Sequence, residues 1–206
     1  MIAIVDYGLG NLRSISNMLQ RAGCESVISA DFGVLRNAER LILPGVGHFK
    51  YGMERLHERG LIDVLNERVL DAGVPILGIC LGAQLLGRRS DEGGVAGLGW
   101  IPMDTVAFDG ARLGGDERVP NMGWSDTAYV KHPLFEGQEQ TPRFYYVHSF
   151  HFQCDDASHV IATADHGYRF ASAVARANIL GVQFHPEKSH VFGKRLLASF
   201  AAMKFD

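Results

Sequence analysis

Several short stretches of this sequence carry side chains whose types and spacing could do chemistry together. Gly78-Ile79-Cys80-Leu81-Gly82 sets a cysteine between two glycines where an apolar run turns into a helical pattern. Small flanking residues let such a turn pack closely and push the central side chain into open space, which is how a strand-to-helix elbow displays a nucleophile. The first turn of a helix also offers unpaired N–H groups that favour a thiolate. The same string describes a core cysteine whose glycines merely let helix pack on sheet, so its neighbours must decide. Gln84, four residues on, projects from the same helical face as Cys80, among Leu81, Ala83, Leu85 and Leu86. A buried amide needs a partner, and a substrate carboxylate or amino group bound beside the thiol would supply one.

A thiol nucleophile needs a base, and the base must be oriented. In "GVQFHPEKS" (181–189), His185 ends an apolar strand and Pro186 keeps it extended. Glu187 is expected to point to the same side as His185 along an extended segment, where its carboxylate could hold the far ring nitrogen. An exposed His–Glu pair is the plainer reading. His148 and His151, in "VHSFHF", are rival bases. Acyl transfer also needs donors for an oxyanion. "LPGVG" (43–47) can present backbone N–H groups after a strand, and the N–H of Leu81 is a second source, although Pro-Gly-x-Gly is also an ordinary turn.

These residues must be positioned by the elements around them. "MIAIVDY" (1–7) is a near-continuous apolar run, as expected of a strand buried on both faces of a parallel sheet. "NLRSISNMLQRAG" (11–23) follows, with Leu12, Ile15, Leu19 and Ala22 on one helical face and Gly23 as the stop. Further strands are predicted near 24–29 and at 40–44, then one or two helices over 48–73 broken around Gly60. The strand and helix around Cys80 complete a βαβαβα series. The expected fold is α/β: a doubly wound, mostly parallel sheet flanked by helices, with ligands at the carboxyl ends of its strands. The second half reads as strands at 99–108, 143–153, 159–164, 170–177 and 179–185, forming an antiparallel extension of that sheet. A last amphipathic helix is predicted from near Ser189, with Phe192, Leu196, Leu197 and Phe200 inward. Residues 1–206 are read as one domain.

Composition narrows the partners. The net charge of −3 gives no basic field for nucleic acid or an anionic membrane, and the apolar run around 74–87 is too short and interrupted to span a bilayer. The N-terminus has no basic leader. Cys24, Cys80 and Cys154 form neither a disulfide framework nor a zinc pattern, so a cytoplasmic setting is expected. "DYGLGNLRS" (6–14) imitates a dinucleotide loop, but Arg13 stands where the third glycine should be.

Taken in order, "LPGVG", "GICLGAQLL" and "VQFHPEKS" resemble the class I (triad) glutamine amidotransferases. "DYGLGNLRS", "VPNMGWS" (119–125) and "FYYVHSF" (144–150) extend the likeness toward the glutaminase subunits of imidazole glycerol phosphate synthase. The resemblance implies Cys80 as nucleophile, His185 as general acid/base and Glu187 as its orienting partner. It assigns Gly45, Val46, Gly47 and Leu81 to the oxyanion strand and hole, and Gln84, His148, Ser149 and Phe150 to the bound glutamine. Asn11, Trp124, Tyr145 and Lys188 match a surface that faces a synthase partner, a (β/α)8-barrel cyclase. No metal or organic cofactor is implied. The triad domain is expected to use the whole chain, leaving the ammonia acceptor on another polypeptide. Asn121 and Ser125 depart from the His and Asn expected around "MGW". "GLGWIPMD" and "EKSHVFG" are similar to paralogous subunits that serve amidination of bacterial surface sugars. A free-standing γ-glutamyl hydrolase and a non-catalytic scaffold are the remaining alternatives.

Overall fold

A computed structural model describes residues 1–115, 117–138 and 141–205. Its elements run β1 (Ile2–Val5), α1 (Leu12–Arg21), β2 (Ser26–Ser29), α2 (Phe32–Arg36), β3 (Arg40–Leu43), α3 (Phe49–Glu58), α4 (Leu61–Asn66), β4 (Ile76–Ile79) and α5 (Leu81–Leu85). There follow β5 (Arg89–Ser90), β6 (Met103–Ala107), β7 (Asn121–Asp126), β8 (Ala128–Tyr129), β9 (Arg143–His148), β10 (Phe150–Cys154), β11 (Val160–His166), β12 (Tyr168–Arg176), β13 (Ile179–Val182) and α6 (His190–Ala202).

Among the described residues one eleven-stranded sheet has the order β2-β1-β3-β4-β13-β12-β10-β6-β5, with β11 and β8 branching from β12. The strands β2, β1, β3, β4 and β13 are parallel to one another, and β12, β10 and β6 continue the sheet antiparallel. Alternate side chains of the parallel strands enter two separate cores. Ala3, Val5, Leu41, Leu43 and Ile76 pack with α2–α5. Ile2, Ile4, Ile42, Leu77, Ile79, Leu180 and Val182 pack with α1 and α6. The result is a three-layer α/β/α sandwich. Burial on both faces is why these strands read as unbroken apolar runs.

The expected breaks occur at Gly23 and Gly60, both with positive φ. The short helix α2 was absent from the sequence reading; it is fixed by the Asp31 carboxylate, which accepts from Val34 N at 2.9 Å. A larger correction concerns 143–153. This stretch is two strands that part at Ser149 and serve different sheets: β10 joins the large sheet, whereas β9 pairs with β7 in a separate two-stranded ribbon. The break arises because Phe150 pairs with Ala107 in the large sheet while His148 pairs with Asn121 in the ribbon. The observed β6 likewise covers only the later part of 99–108. No helix among the described residues is long and apolar enough to cross a membrane.

Candidate active site

Cys80 sits at the carboxyl end of β4, the strand flanked by β3 and β13. Its backbone has φ 54° and ψ −114°, a left-handed φ that non-glycine residues seldom adopt and that must be held by the surroundings. Three main-chain bonds hold it: Cys80 N donates to Val182 O at 2.8 Å, and Cys80 O accepts from Ala83 N at 3.0 Å and Gln84 N at 3.1 Å. The flanking glycines permit the close approach. A Cβ on Gly78 would lie 2.6 Å from Ala83 Cα, and one on Gly82 would overlap the Leu43 carbonyl. The elbow inferred from the sequence is therefore present, with its helix pressed against the sheet.

His185 and Glu187 arrive from the segment after β13. His185 Nδ1 and Glu187 Oε1 are 2.9 Å apart with both side chains about 1% exposed. The route differs from the expected extended alternation: Pro186–Lys188 is a 3-10 turn, since proline suits the first position of a helical turn, and the turn folds Glu187 back beneath the ring. Nδ1 donates to the carboxylate, and Nε2, with no hydrogen-bond partner among the described residues, faces the thiol. Burial pulls the imidazole's pKa down, but the Cys80 sulfur and the Glu187 carboxylate more than offset it and raise it to about 10. Such a ring is charged at neutral pH.

The rival bases are removed by their bonding. His148 Nδ1 is 2.7 Å from Phe150 O, and its Nε2 is 3.0 Å from Asn121 Nδ2. A carbonyl only accepts, so Nδ1 carries the proton and Nε2 accepts from Asn121. Burial then drives the pKa of His148 down to about 3, and the ring stays neutral. His151 turns its Nε2 to Tyr168 Oη, 2.9 Å away.

A cavity of about 320 Å³ opens over Cys80, lined by Val46, Gly47, Leu81, Gln84, Val147, His148, Ser149, Phe150 and His185, with Glu92 and Pro120 added. That volume is at the small end of ligand pockets and suits an amino acid. Each residue assigned to substrate lines this cavity except Gly45. Gly45 instead packs behind the elbow, where a Cβ would come within 2.7 Å of Gly82 N. The Val46–Gly47 turn and the start of α5 converge on the thiol, and the first N–H groups of a helix lack intrahelical acceptors. Gln84 has a protein partner: its Nε2 donates to Gln183 Oε1 at 3.0 Å. Sequence reasoning missed Gln183, although a lone amide inside the apolar strand end "GVQF" was a signal. It also missed Glu92, whose Oε2 accepts from Phe49 N at 2.7 Å and which is the one carboxylate among the described residues that line the cavity.

Trp124 and Tyr145 pair across the ribbon, and Lys188 lies beside them. Trp124 stacks on His190 with centroids 5.3 Å apart and meets Tyr145 edge-on at 6.1 Å, while Lys188 Nζ lies 5.5 Å from the Tyr145 ring centroid. Asn11 precedes α1, which packs against the 186–188 turn. The same ribbon reaches the site from behind, because Tyr145 O accepts from His185 N at 2.9 Å.

Comparison with known proteins agrees with this geometry. A family model described as glutamine amidotransferase class-I matches residues 3–203. The chain is 45% identical to imidazole glycerol phosphate synthase subunit HisH 2 of Pseudomonas aeruginosa, covering 98% of this chain and 100% of that protein. It is 47% identical to subunit HisH of Sulfurimonas denitrificans, covering 97% of each. Among solved structures, one described as a glutamine amidotransferase superposes with a TM-score of 0.75 at 21% identity, covering 98% of this chain and 99% of that one. Thermotoga maritima PurLQS superposes at 0.67 and 20% identity, covering 97% and 96%. The elbow at Cys80, the buried His185–Glu187 pair and a match over nearly the whole chain place this protein in the class I glutamine amidotransferase family.

Proposed function

We propose that this chain is the glutaminase subunit of an imidazole glycerol phosphate synthase, which hydrolyses L-glutamine and passes ammonia to a separate (β/α)8-barrel cyclase for histidine biosynthesis. The observation that carries the reading is the assembled Cys80–His185–Glu187 triad under an amino-acid-sized cavity, in a chain similar end to end to named synthase subunits. The Cys80 thiolate attacks the side-chain amide carbon, and its oxygen takes up negative charge facing the N–H groups of Val46, Gly47 and Leu81. His185 gives its proton to the departing nitrogen, releasing ammonia and leaving a γ-glutamyl thioester. Neutral His185 then takes a proton from water, which attacks the thioester to give glutamate and return the thiolate. Glu187 holds the ring and its charge throughout. Glu92 is placed to receive the substrate's α-ammonium, and the main chain at 147–150 its α-carboxylate. The chemistry needs no cofactor, and the cytoplasm is its setting.

The aromatic patch of Trp124 and Tyr145, with Lys188 and Asn11 beside it, is the surface we assign to the cyclase. Labelling of Cys80 by diazo-oxo-norleucine, absent in Cys80→Ala, tests the chemistry; labelling elsewhere or none would return the chain to a scaffold role. Co-purification with the cyclase, followed by glutaminase assays, tests the partnership. Equal turnover with and without cyclase would point to a free-standing γ-glutamyl hydrolase. A second reading, ammonia supply for amidination of a surface nucleotide-sugar, is favoured by Asn121 and Ser125 on the ribbon β7, since both depart from the expected residues. Activation by a sugar-modifying synthase and not by the histidine-pathway cyclase would select it.

A further inference from the structure

Beneath the nucleophile lies a polar side chain that the triad chemistry does not use. Gln183 is completely buried, directly after β13, and its main-chain N–H is already taken by Ser172 O at 2.8 Å. Its side chain joins two functional residues. Gln183 Oε1 accepts from Gln84 Nε2 at 3.0 Å, and Gln183 Nε2 points at Cys80 Sγ from 3.8 Å. A buried amide aligned this way has donated its N–H to sulfur and spent its oxygen on Gln84. Sulfur as a good acceptor is sulfur as thiolate, because donors to the charged form favour that form.

We propose that Gln183 is a further catalytic residue, a fixed N–H donor that holds the Cys80 thiolate. His185 is expected to leave the sulfur when it protonates the departing nitrogen; Gln183 has no proton to give and stays. Its donation therefore persists through attack and again when the thiolate is expelled from the thioester. Gln84 fixes the direction of the amide, since an acceptor is needed for its Nε2, and Gln84 itself lines the substrate cavity. The donor on the sulfur is thus anchored by a residue that glutamine touches.

This inference rests on Cys80 being the nucleophile, and its test separates the two. Iodoacetamide alkylation of Cys80 is followed against pH by mass spectrometry of the Cys80 peptide, because Cys24 and Cys154 also react. In Gln183→Met, which keeps the volume and removes the donor, the pH of half-maximal alkylation should rise by about one unit, and the rate at pH 7 should fall about tenfold. In Gln183→Leu, which removes the donor without adding a charge, the profile should move in the same direction, and this variant carries the test should the Met variant not fold. A purely structural role would lower thermal stability and leave the profile in place, which overturns the proposal. A profile moved to lower pH also overturns it, being the sign of an amide oxygen that accepts from a thiol. Loss of diazo-oxo-norleucine labelling in the unaltered chain would instead refute the nucleophile assignment.

Discussion

Replacing Glu187 with Gln removes one charge and almost no volume from a site that solvent does not reach. Both side chains of the His185–Glu187 pair are about 1% exposed, so the interaction is not screened as a surface pair would be. Breaking a buried pair of this kind costs about 3–5 kcal/mol when the remaining charge must stay. Here the imidazole can discharge instead, and burial already pulls its pKa down. Glu187 is the smaller of the two supports that hold the ring at about 10, the Cys80 sulfur being the larger, so its removal should bring the pKa only part of the way down, a loss of about 1.4 kcal/mol for each unit. Part of that loss appears in the barrier, because the imidazolium must protonate the leaving nitrogen. We expect kcat to fall about 100- to 1,000-fold, with KM for glutamine changed by less than about threefold, since Glu187 does not line the cavity. The basic limb of the kcat/KM profile should move to lower pH, because the raised pKa confines the charged ring to pH values below it. Ammonia release, measured from pH 5 to 10 with the proposed cyclase present, reads both effects. A loss under about tenfold, with the basic limb unmoved, would refute the account of how His185 is charged.

Other outcomes follow from the same geometry. Gly82→Ala, whose methyl would overlap the Leu43 carbonyl, should destabilise the fold by at least ~2 kcal/mol and abolish labelling of Cys80; calorimetry showing an unchanged Tm would contradict the packing. His148 should appear in nitrogen NMR as the neutral Nδ1–H form, with no titration near pH 6.5. Its folded pKa near 3 lies below the unfolded value, so it removes stability as the pH falls from ~6.5 toward 3. His148→Phe should accordingly flatten that loss by up to about 1.4 kcal/mol per pH unit in acid-dependent denaturant titrations. Should the proposed cyclase be the partner, Trp124→Ala is expected to weaken that binding by roughly tenfold or more in calorimetric titration, as truncation of an aromatic anchor does.

The inner parallel strands β1, β3, β4 and β13 are legible because they are buried on both faces and leave nearly unbroken apolar runs, whereas the edge strand β2 is only half-buried. The candidate triad is legible because a cysteine displayed at an elbow demands small neighbours, and Pro186 marks where the strand carrying His185 must turn. Other parts gave weaker signals. The ribbon strand "NMGWSD" has mostly exposed or half-exposed residues, so it lacks an apolar face, and its pairing with β9 is a long-range choice that no local pattern records. The break at Ser149 was hidden because both strands beside it are rich in aromatics. Glu92 comes from a loop whose position depends on the Phe49 N–H it accepts. Gln183 was overlooked inside a segment read as framework for His185, although a buried amide always poses the question of its partner.

The hydrogen bond from His185 N to Tyr145 O has a consequence for how the protein can be probed. Tyr145 shows its ring to the outer surface and its carbonyl to the general base. Truncating the ring leaves the carbonyl where it was, so a conventional side-chain scan is blind to half of what this residue does. The information lies in the peptide unit, and only a change to the backbone reaches it. An amide-to-ester replacement at His185, made by semisynthesis, deletes the single N–H involved and keeps every side chain in place. Comparing that protein with a Tyr145→Ala variant would divide the proposed surface recognition by the ring from the hold that the Tyr145 carbonyl has on the His185 main chain.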